Sequence, residues 1–153
     1  MTLVRFISYL IAPFILILPL AVWAKGDVEA GEATFNKCRS CHAIVSPDGD
    51  VLQKGGRTGP NLFGLLDRRA GTVEDYRYGK SLVEAGEAGL IWTEENFVAY
   101  TTDPLAFLRK TTGDTSARSK MAFRLKKGAE DVFAYIASVS PPPVDTDVSG
   151  EED

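Results

Sequence analysis

The sequence predicts an all-α domain with long ordered loops. Helix-capping residues precede apolar residues at helical spacing in several segments, and no convincing run of alternating apolar and polar residues indicates a strand. Residues 45–66 are rich in glycine and turn-forming residues, including Pro47-Asp48-Gly49-Asp50 and Gly55-Gly56, which favours a loop. The helices are therefore expected on either side of a long irregular segment.

The first helix is predicted to begin after Asp27, a residue type that caps helix N-termini well. Its inward positions would include Ala30, Gly31, Thr34 and Phe35, which are spaced as one helical face.

A second helix is predicted to follow Thr93, a good N-cap with two glutamates directly behind it in the first turn. Pro104 should end this helix after Asp103, because the residue before a proline avoids the helical conformation. A short helix over residues 105–110 is expected next.

The last helix is predicted from about residue 129 to residue 138. Val132, Phe133, Ile136 and Val139 repeat at helical spacing, and three consecutive prolines at 141–143 stop the helix.

The N-terminus resembles a secretory leader. Arg5 precedes an apolar run over residues 6–20, and Val22-Trp23-Ala24 supplies small residues where a signal peptidase cleaves. We expect residues 1–24 to be a cleaved signal peptide. The alternative is a retained membrane anchor, because the run approaches the roughly 17 to 25 residues that span a bilayer. Pro13 and Pro19 interrupt the run, which favours cleavage.

The remaining chain has the length of one domain, over residues 25–140, followed by an acidic tail over residues 141–153 that we expect to be disordered. The chain has 17 basic and 21 acidic residues; Arg5 lies in the leader and five acids lie in the tail, so 16 of each sign remain between them. No nucleic-acid partner is expected.

Cys38-Arg39-Ser40-Cys41-His42 contains both cysteines and the only histidine of the chain. The pattern C-x-x-C-H is typical of c-type haem attachment, in which two thiols bond to the haem vinyl groups and the imidazole ligates iron.

Other interpretations of these residues fit less well. A structural zinc site needs four ligands, and a thioredoxin-like pair should follow a strand, whereas a helical segment precedes Cys38. A disulfide between Cys38 and Cys41 would leave His42 unexplained. The motif therefore favours one covalently bound haem c.

The second axial ligand of the iron would be a methionine, lysine or tyrosine, or the position would be open. Met1 leaves with the leader, so Met121 is the only methionine that remains. A lone methionine is often a core residue. Met121, however, lies in a polar segment before the last helix, 79 residues after His42, and is the favoured ligand.

The chain resembles the class I c-type cytochromes, and most closely the larger cytochrome c2 and c550 group of bacteria. The resemblance covers residues 26–140 and rests on Gly31 and Phe35, the C-x-x-C-H motif, Gly59-Pro60-Asn61-Leu62, Arg68, Tyr76 to Gly79, Trp92-Thr93, Tyr100, Asp103-Pro104 and Lys120-Met121. It implies that the first and last helices cross near Gly31, with Phe35, Phe133 and Tyr135 beside the crossing.

The resemblance also implies roles for residues around the haem. The Pro60 carbonyl would accept a hydrogen bond from Nδ1 of His42, and Tyr100 would bond near the ligand methionine. The resemblance further implies that the haem propionates accept hydrogen bonds from Arg68, Tyr78 and Trp92. The alternatives are core packing for Trp92 and Tyr100, and a solvated charge for Arg68.

Taken together, these features predict a soluble periplasmic one-electron carrier, monomeric and not an enzyme. The resemblance implies quinol:cytochrome c oxidoreductase as donor and cytochrome oxidase, a photosynthetic reaction centre or a denitrification enzyme as acceptor. A ring of basic residues would face acidic partners. Its members are Lys37, Lys54, Arg57, Lys120, Arg124, Lys126 and Lys127. The alternative is that these residues are only part of a mixed solvated surface.

Two other classes remain open at this point. A haem peroxidase or gas sensor would need Met121 to be off the iron, and a membrane-anchored subunit would retain the leader.

Overall fold

A computed structural model describes residues 26–140 of the chain. Within that range five helices and one small hairpin form: α1 (Val28–Phe35), β1 (Ile44–Val45), β2 (Val51–Gln53), α2 (Lys80–Glu87), α3 (Glu94–Thr102), α4 (Pro104–Thr112) and α5 (Ala129–Val139). The predicted all-α class is confirmed. The predicted signal peptide and acidic tail lie outside the described residues.

The first and last helices cross at a glycine, where the resemblance placed the crossing. A Cβ atom added to Gly31 would lie 2.0 Å from the carbonyl oxygen of Asp131 and 2.8 Å from Cβ of Tyr135. Backbone therefore packs directly on backbone, which a side chain would prevent. The rings of Phe35 and Tyr135 pack beside this contact, with centroids 5.5 Å apart.

The predicted caps are present. Oδ1 of Asp27 accepts a hydrogen bond from the backbone N–H of Ala30 at 3.0 Å, and Oγ1 of Thr93 accepts one from Asn96 at 3.2 Å. Asp103 ends α3 in an extended conformation and caps α4, accepting from Ala106 at 3.0 Å. The short helix predicted over 105–110 is longer, since Pro104 occupies its first turn and it continues to Thr112.

Three parts of the fold differ from the sequence prediction. Ala30 is predicted to face inward but is exposed. Of the residues of α1, only Gly31 and Phe35 are buried. The segment predicted as loop contains the β1–β2 hairpin. The side-chain amide of Asn61 holds this hairpin, because its oxygen accepts a hydrogen bond from the N–H of Val45 and its nitrogen donates one to the Val45 carbonyl. Helix α2 is not predicted from the sequence, because its N-cap is Gly79, which has no side chain to cap the helix.

The helices pack around a core whose fully buried side chains include Phe35, Ile44, Leu108, Val132 and Ile136. α5 contacts both α1 and α3, and α4 contacts α2 and α3. None of the helices within residues 26–140 is both long enough and apolar enough to cross a membrane.

We predict that Gly31→Ala destabilises the domain by about 2 to 4 kcal/mol, although alanine normally favours a helix over glycine by about 1 kcal/mol. The added methyl group would collide with the α5 backbone. Guanidinium unfolding followed by circular dichroism measures the change.

Gly49→Ala is the control, because a Cβ there meets nothing within 4 Å and only the left-handed backbone at φ 91° is strained. Its expected cost is about 1 kcal/mol. Equal losses in the two variants would contradict the close crossing.

Candidate haem-binding site

A cavity of about 400 Å³ lies in the core, a volume typical of sites for cofactors. Apolar side chains from the loops and from several helices line it, including Leu65, Leu82, Phe97, Leu108 and Val132. Every site residue predicted from the sequence also borders this cavity: Cys38, Cys41, His42, Pro60, Arg68, Tyr78, Trp92, Tyr100 and Met121. Chain segments far apart in sequence therefore meet around one space.

The cysteines and the histidine lie on turns that directly follow α1. The N–H of Cys38 donates to the carbonyl of Phe35 at 2.7 Å, and the N–H of His42 donates to the carbonyl of Cys38 at 3.0 Å. A glycine loop packs behind these turns, where a Cβ on Gly55 would lie 1.7 Å from the His42 carbonyl oxygen. Glycine there lets the loop support the turns that carry the motif.

The two thiols have different surroundings. Burial raises the pKa of the Cys38 thiol to about 11. Hydrogen bonds from Thr58 and Ser40 lower the pKa of the Cys41 thiol. Both residues are free cysteines, and both border the cavity.

The imidazole of His42 is fixed on two sides. Its Nδ1 donates to the carbonyl oxygen of Pro60 at 2.8 Å, which leaves the lone pair of Nε2 free to act as a ligand. Burial lowers the pKa of His42, so the ring is neutral near pH 7. A Cβ on Gly59 would lie 2.3 Å from Cε1 of the ring. Only glycine allows the loop to contact the imidazole this closely.

Met121 lies partly buried against the core, in a stretch over residues 117–128 that has neither helix nor strand. The Ser119 hydroxyl donates to the Met121 carbonyl at 2.9 Å, and the Tyr100 hydroxyl lies 3.5 Å from the Ser119 hydroxyl. Tyr100 therefore contacts the segment that bears Met121 through Ser119. Burial raises the pKa of the Tyr100 phenol, which is neutral at physiological pH.

No protein-family model matches the chain. Cytochrome c-551 of Roseobacter denitrificans is 62% identical to it over 119 residues, which cover 78% of this chain and 85% of that protein. The chain belongs to the class I c-type cytochromes. Cytochrome c2 of Rhodobacter capsulatus is 50% identical over 114 residues, covering 74% of this chain and 83% of that protein. The solved structure of ferric cytochrome c-550 from Paracoccus versutus matches with a TM-score of 0.74 and 43% identity, covering 76% of this chain and 100% of that chain.

As a member of this family the cytochrome binds one covalent haem c, and it is an electron-transfer protein rather than an enzyme. The residues present suit that group. The cavity is mainly apolar, two thiols and a neutral imidazole border it within one pentapeptide, and a thioether borders it as well. Within residues 26–140, no three His, Cys, Asp or Glu side chains cluster as a metal site of their own.

Arg68 of this cytochrome is half-buried rather than a solvated charge. Its guanidinium donates to the carbonyl oxygens of Phe63 at 2.6 Å and Asn61 at 3.3 Å. Burial lowers the pKa of Arg68, although guanidinium remains charged in proteins. Two N–H groups of Arg68 therefore hold the preceding loop at residues 61–63, and the Arg68 side chain still borders the cavity.

Aromatic rings form another part of the cavity lining. Tyr76 and Tyr78 pack edge to face with centroids 4.7 Å apart, and Trp92 packs edge to face on Tyr100 at 5.1 Å. The Tyr76 hydroxyl donates to the carbonyl of Thr58 at 2.9 Å, which connects these rings to the loop beside Cys41. Core packing and contact with the haem are thus compatible roles for Trp92.

Several lining residues could not be identified from the sequence. Leu65, Leu82, Leu108 and Val132 look like ordinary core residues, since an apolar side chain carries no signal of the cavity it faces. Ser119 is also missed, because a serine in a polar segment shows no sign of its contacts.

We predict that Gly59→Ala sharply lowers the yield of haem-containing protein, because the added Cβ would occupy the position of the His42 ring. Haem staining relative to total protein, after co-expression with the haem-attachment machinery, measures the yield.

Gly89→Ala is the control, because its Cβ would meet nothing within 4 Å and only the left-handed backbone at φ 100° is strained, away from the His42 ring. A wild-type yield and spectrum for Gly59→Ala would show that this contact with the ring is not needed.

Proposed function

We propose that Cys38 and Cys41 form the thioether bonds to the haem and that His42 and Met121 are the axial ligands of its iron. One observation carries the proposal: the pentapeptide and Met121, 79 residues apart in sequence, border the same apolar cavity. No other methionine occurs after residue 24. The bound haem supplies one-electron redox chemistry.

This ligand set fits an electron carrier of high potential. A thioether is a soft neutral donor that favours ferrous iron, and axial ligands tune haem potentials over about 0.8 V. The hydrogen bond from His42 to the Pro60 carbonyl keeps the imidazole in one tautomer and orientation. With both axial positions taken by side chains, no position is left for peroxide or a gas, which favours a carrier over a peroxidase or sensor.

We further propose that Arg68, Tyr78 and Trp92 stabilise the haem propionates. All three border the cavity, and a buried carboxylate needs hydrogen-bond donors. Arg68 has five N–H donors, of which Phe63 and Asn61 accept from two of its nitrogens. Burial raises the pKa of Tyr78, so its hydroxyl keeps the proton that it would donate.

The proposed partners are quinol:cytochrome c oxidoreductase as donor and, as acceptor, cytochrome oxidase, a photosynthetic reaction centre or a denitrification enzyme. Lys37 and Lys120 border the cavity and would attract acidic surfaces near the haem. Arg124 is paired with Asp103 at 3.1 Å, which offsets its charge. The cytochrome would work as a monomer in the periplasm, after cleavage of residues 1–24.

Met121→Ala is predicted to abolish the weak absorption band of ferric iron bonded to methionine sulfur and to lower the reduction potential. The reason is the loss of the soft donor that favours ferrous iron. Absorption spectra in both redox states and a redox titration measure the two changes.

Lys126→Ala is the control, because its exposed side chain lies on the same segment but does not border the cavity. Persistence of the band in Met121→Ala would falsify the ligand assignment. Rapid stoichiometric carbon monoxide binding by the reduced wild-type protein would contradict the carrier function.

If the leader is cleaved as proposed, the purified native protein should have the mass of residues 25–153 plus one haem. Intact mass spectrometry measures this directly. A mass that includes the first 24 residues would instead show a retained anchor.

A further inference from the structure

The segment that carries Met121 has no regular structure of its own, and residues 117–128 depend on contacts with other elements for their position. On one side the segment contacts α3. The N–H of Leu125 donates to the carbonyl of Thr101 at 2.8 Å, and Ser119 lies against Tyr100.

On the other side the segment contacts the start of α2. The Ser81 hydroxyl accepts a hydrogen bond from the backbone N–H of Arg118 at 3.1 Å. The Lys120 ammonium donates to the carbonyl of Arg77 at 2.5 Å. These two bonds connect residues 77–81 to the three residues that precede Met121.

Ser81 is an unusual residue for its place in the fold. It lies in the first turn of α2, where a serine often bonds to its own helix, but the N-cap of α2 is Gly79 and no side chain caps the helix. Ser81 is only 8% exposed, and its hydroxyl instead reaches a segment 37 residues away. A buried hydroxyl used in this way serves the partner segment rather than the helix.

We propose that Ser81 is a positioning residue for the iron ligand, and that its hydroxyl keeps the segment of Met121 against the cavity. This inference rests on the proposed ligation by Met121. Removing the acceptor leaves the N–H of Arg118 without its partner in a partly buried place, which favours states in which the segment has moved away. Ser81 does not itself line the cavity, so its effect would be transmitted through residues 118–121.

The test is the affinity of the ferric protein for imidazole, which must displace Met121 before it reaches iron. The apparent affinity equals the intrinsic affinity multiplied by the fraction of molecules with the segment displaced. Ser81→Ala should therefore raise the apparent affinity by about threefold to tenfold, the range expected for one lost hydrogen bond. Loss of the iron–sulfur absorption band during the titration reports the displacement.

Two controls separate positioning from general stability. Ile136→Val lowers the stability of the core at a residue outside the cavity lining, and it should leave the imidazole affinity unchanged. Ser138→Ala removes a serine hydroxyl on α5 that bonds only within its helix, and it should also have no effect. An equal gain in affinity for Ile136→Val would overturn the proposal, because the effect would then reflect global stability.

Ser81→Thr retains a hydroxyl at this position and should keep the imidazole affinity close to that of the wild type. It gives a second variant if Ser81→Ala yields little folded protein, and a gain of threefold or more in Ser81→Thr would contradict the role of the hydroxyl.

The failure of this inference is distinguishable from failure of the ligand assignment. Met121→Ala should bind imidazole more tightly than the wild type, since nothing has to be displaced. If Met121→Ala binds like the wild type, the ligand assignment is wrong. If Met121→Ala binds more tightly but Ser81→Ala binds like the wild type, only the role of Ser81 is wrong.

Discussion

The apolar cavity is the constraint on which the rest of this structure depends. Leu65, Leu82, Phe97, Leu108 and Val132 face it from different elements, so the hydrophobic core forms a shell rather than a solid centre. Protein interiors are close-packed, and a cavity of about 400 Å³ costs stability unless a cofactor fills it. The haem is thus expected to contribute to the core as well as to the redox chemistry. Covalent attachment would then keep the core complete.

The site residues lie mainly on turns and loops, and the helices provide the rigid support for them. The crossing of α1 and α5 at Gly31 fixes the end of α1, from which the turns of Cys38 and His42 continue directly. Met121 has no such helix, and its segment is held by Tyr100 and Thr101 on α3 and by Ser81 on α2. The segment that carries His42 is therefore more rigid than the segment that carries Met121, because backbone hydrogen bonds continue from α1 into the turn of His42. The segment of Met121 is held to its neighbours by one backbone hydrogen bond, from Leu125 to Thr101, and otherwise by individual side-chain contacts.

Much of this arrangement is predictable from local sequence, because caps and attachment motifs act over a few residues. Asp27 and Thr93 cap the helices that they predict. The hairpin is not predictable, since its strands of two and three residues depend on the amide of Asn61, a tertiary contact. α2 is missed because Gly79 gives no capping signal. The bonds of Arg68 to backbone carbonyls likewise arise only once the loop is folded, so the resemblance to the family indicates its place at the cavity but not its partners.

Proton NMR of the ferrous protein, with methionine methyl groups labelled with carbon-13, tests the proposed ligation of the iron by Met121 most directly. Without the proposed leader the chain would contain a single methionine, so one labelled signal is expected and its assignment would need no variant. A methyl group bound through sulfur to iron lies over the haem ring, whose ring current shifts the signal far upfield of ordinary methionine methyls. We predict a single labelled signal with this upfield shift. A labelled signal at the ordinary methionine position would contradict the account, because Met121 would then be a core residue and the haem would have another ligand.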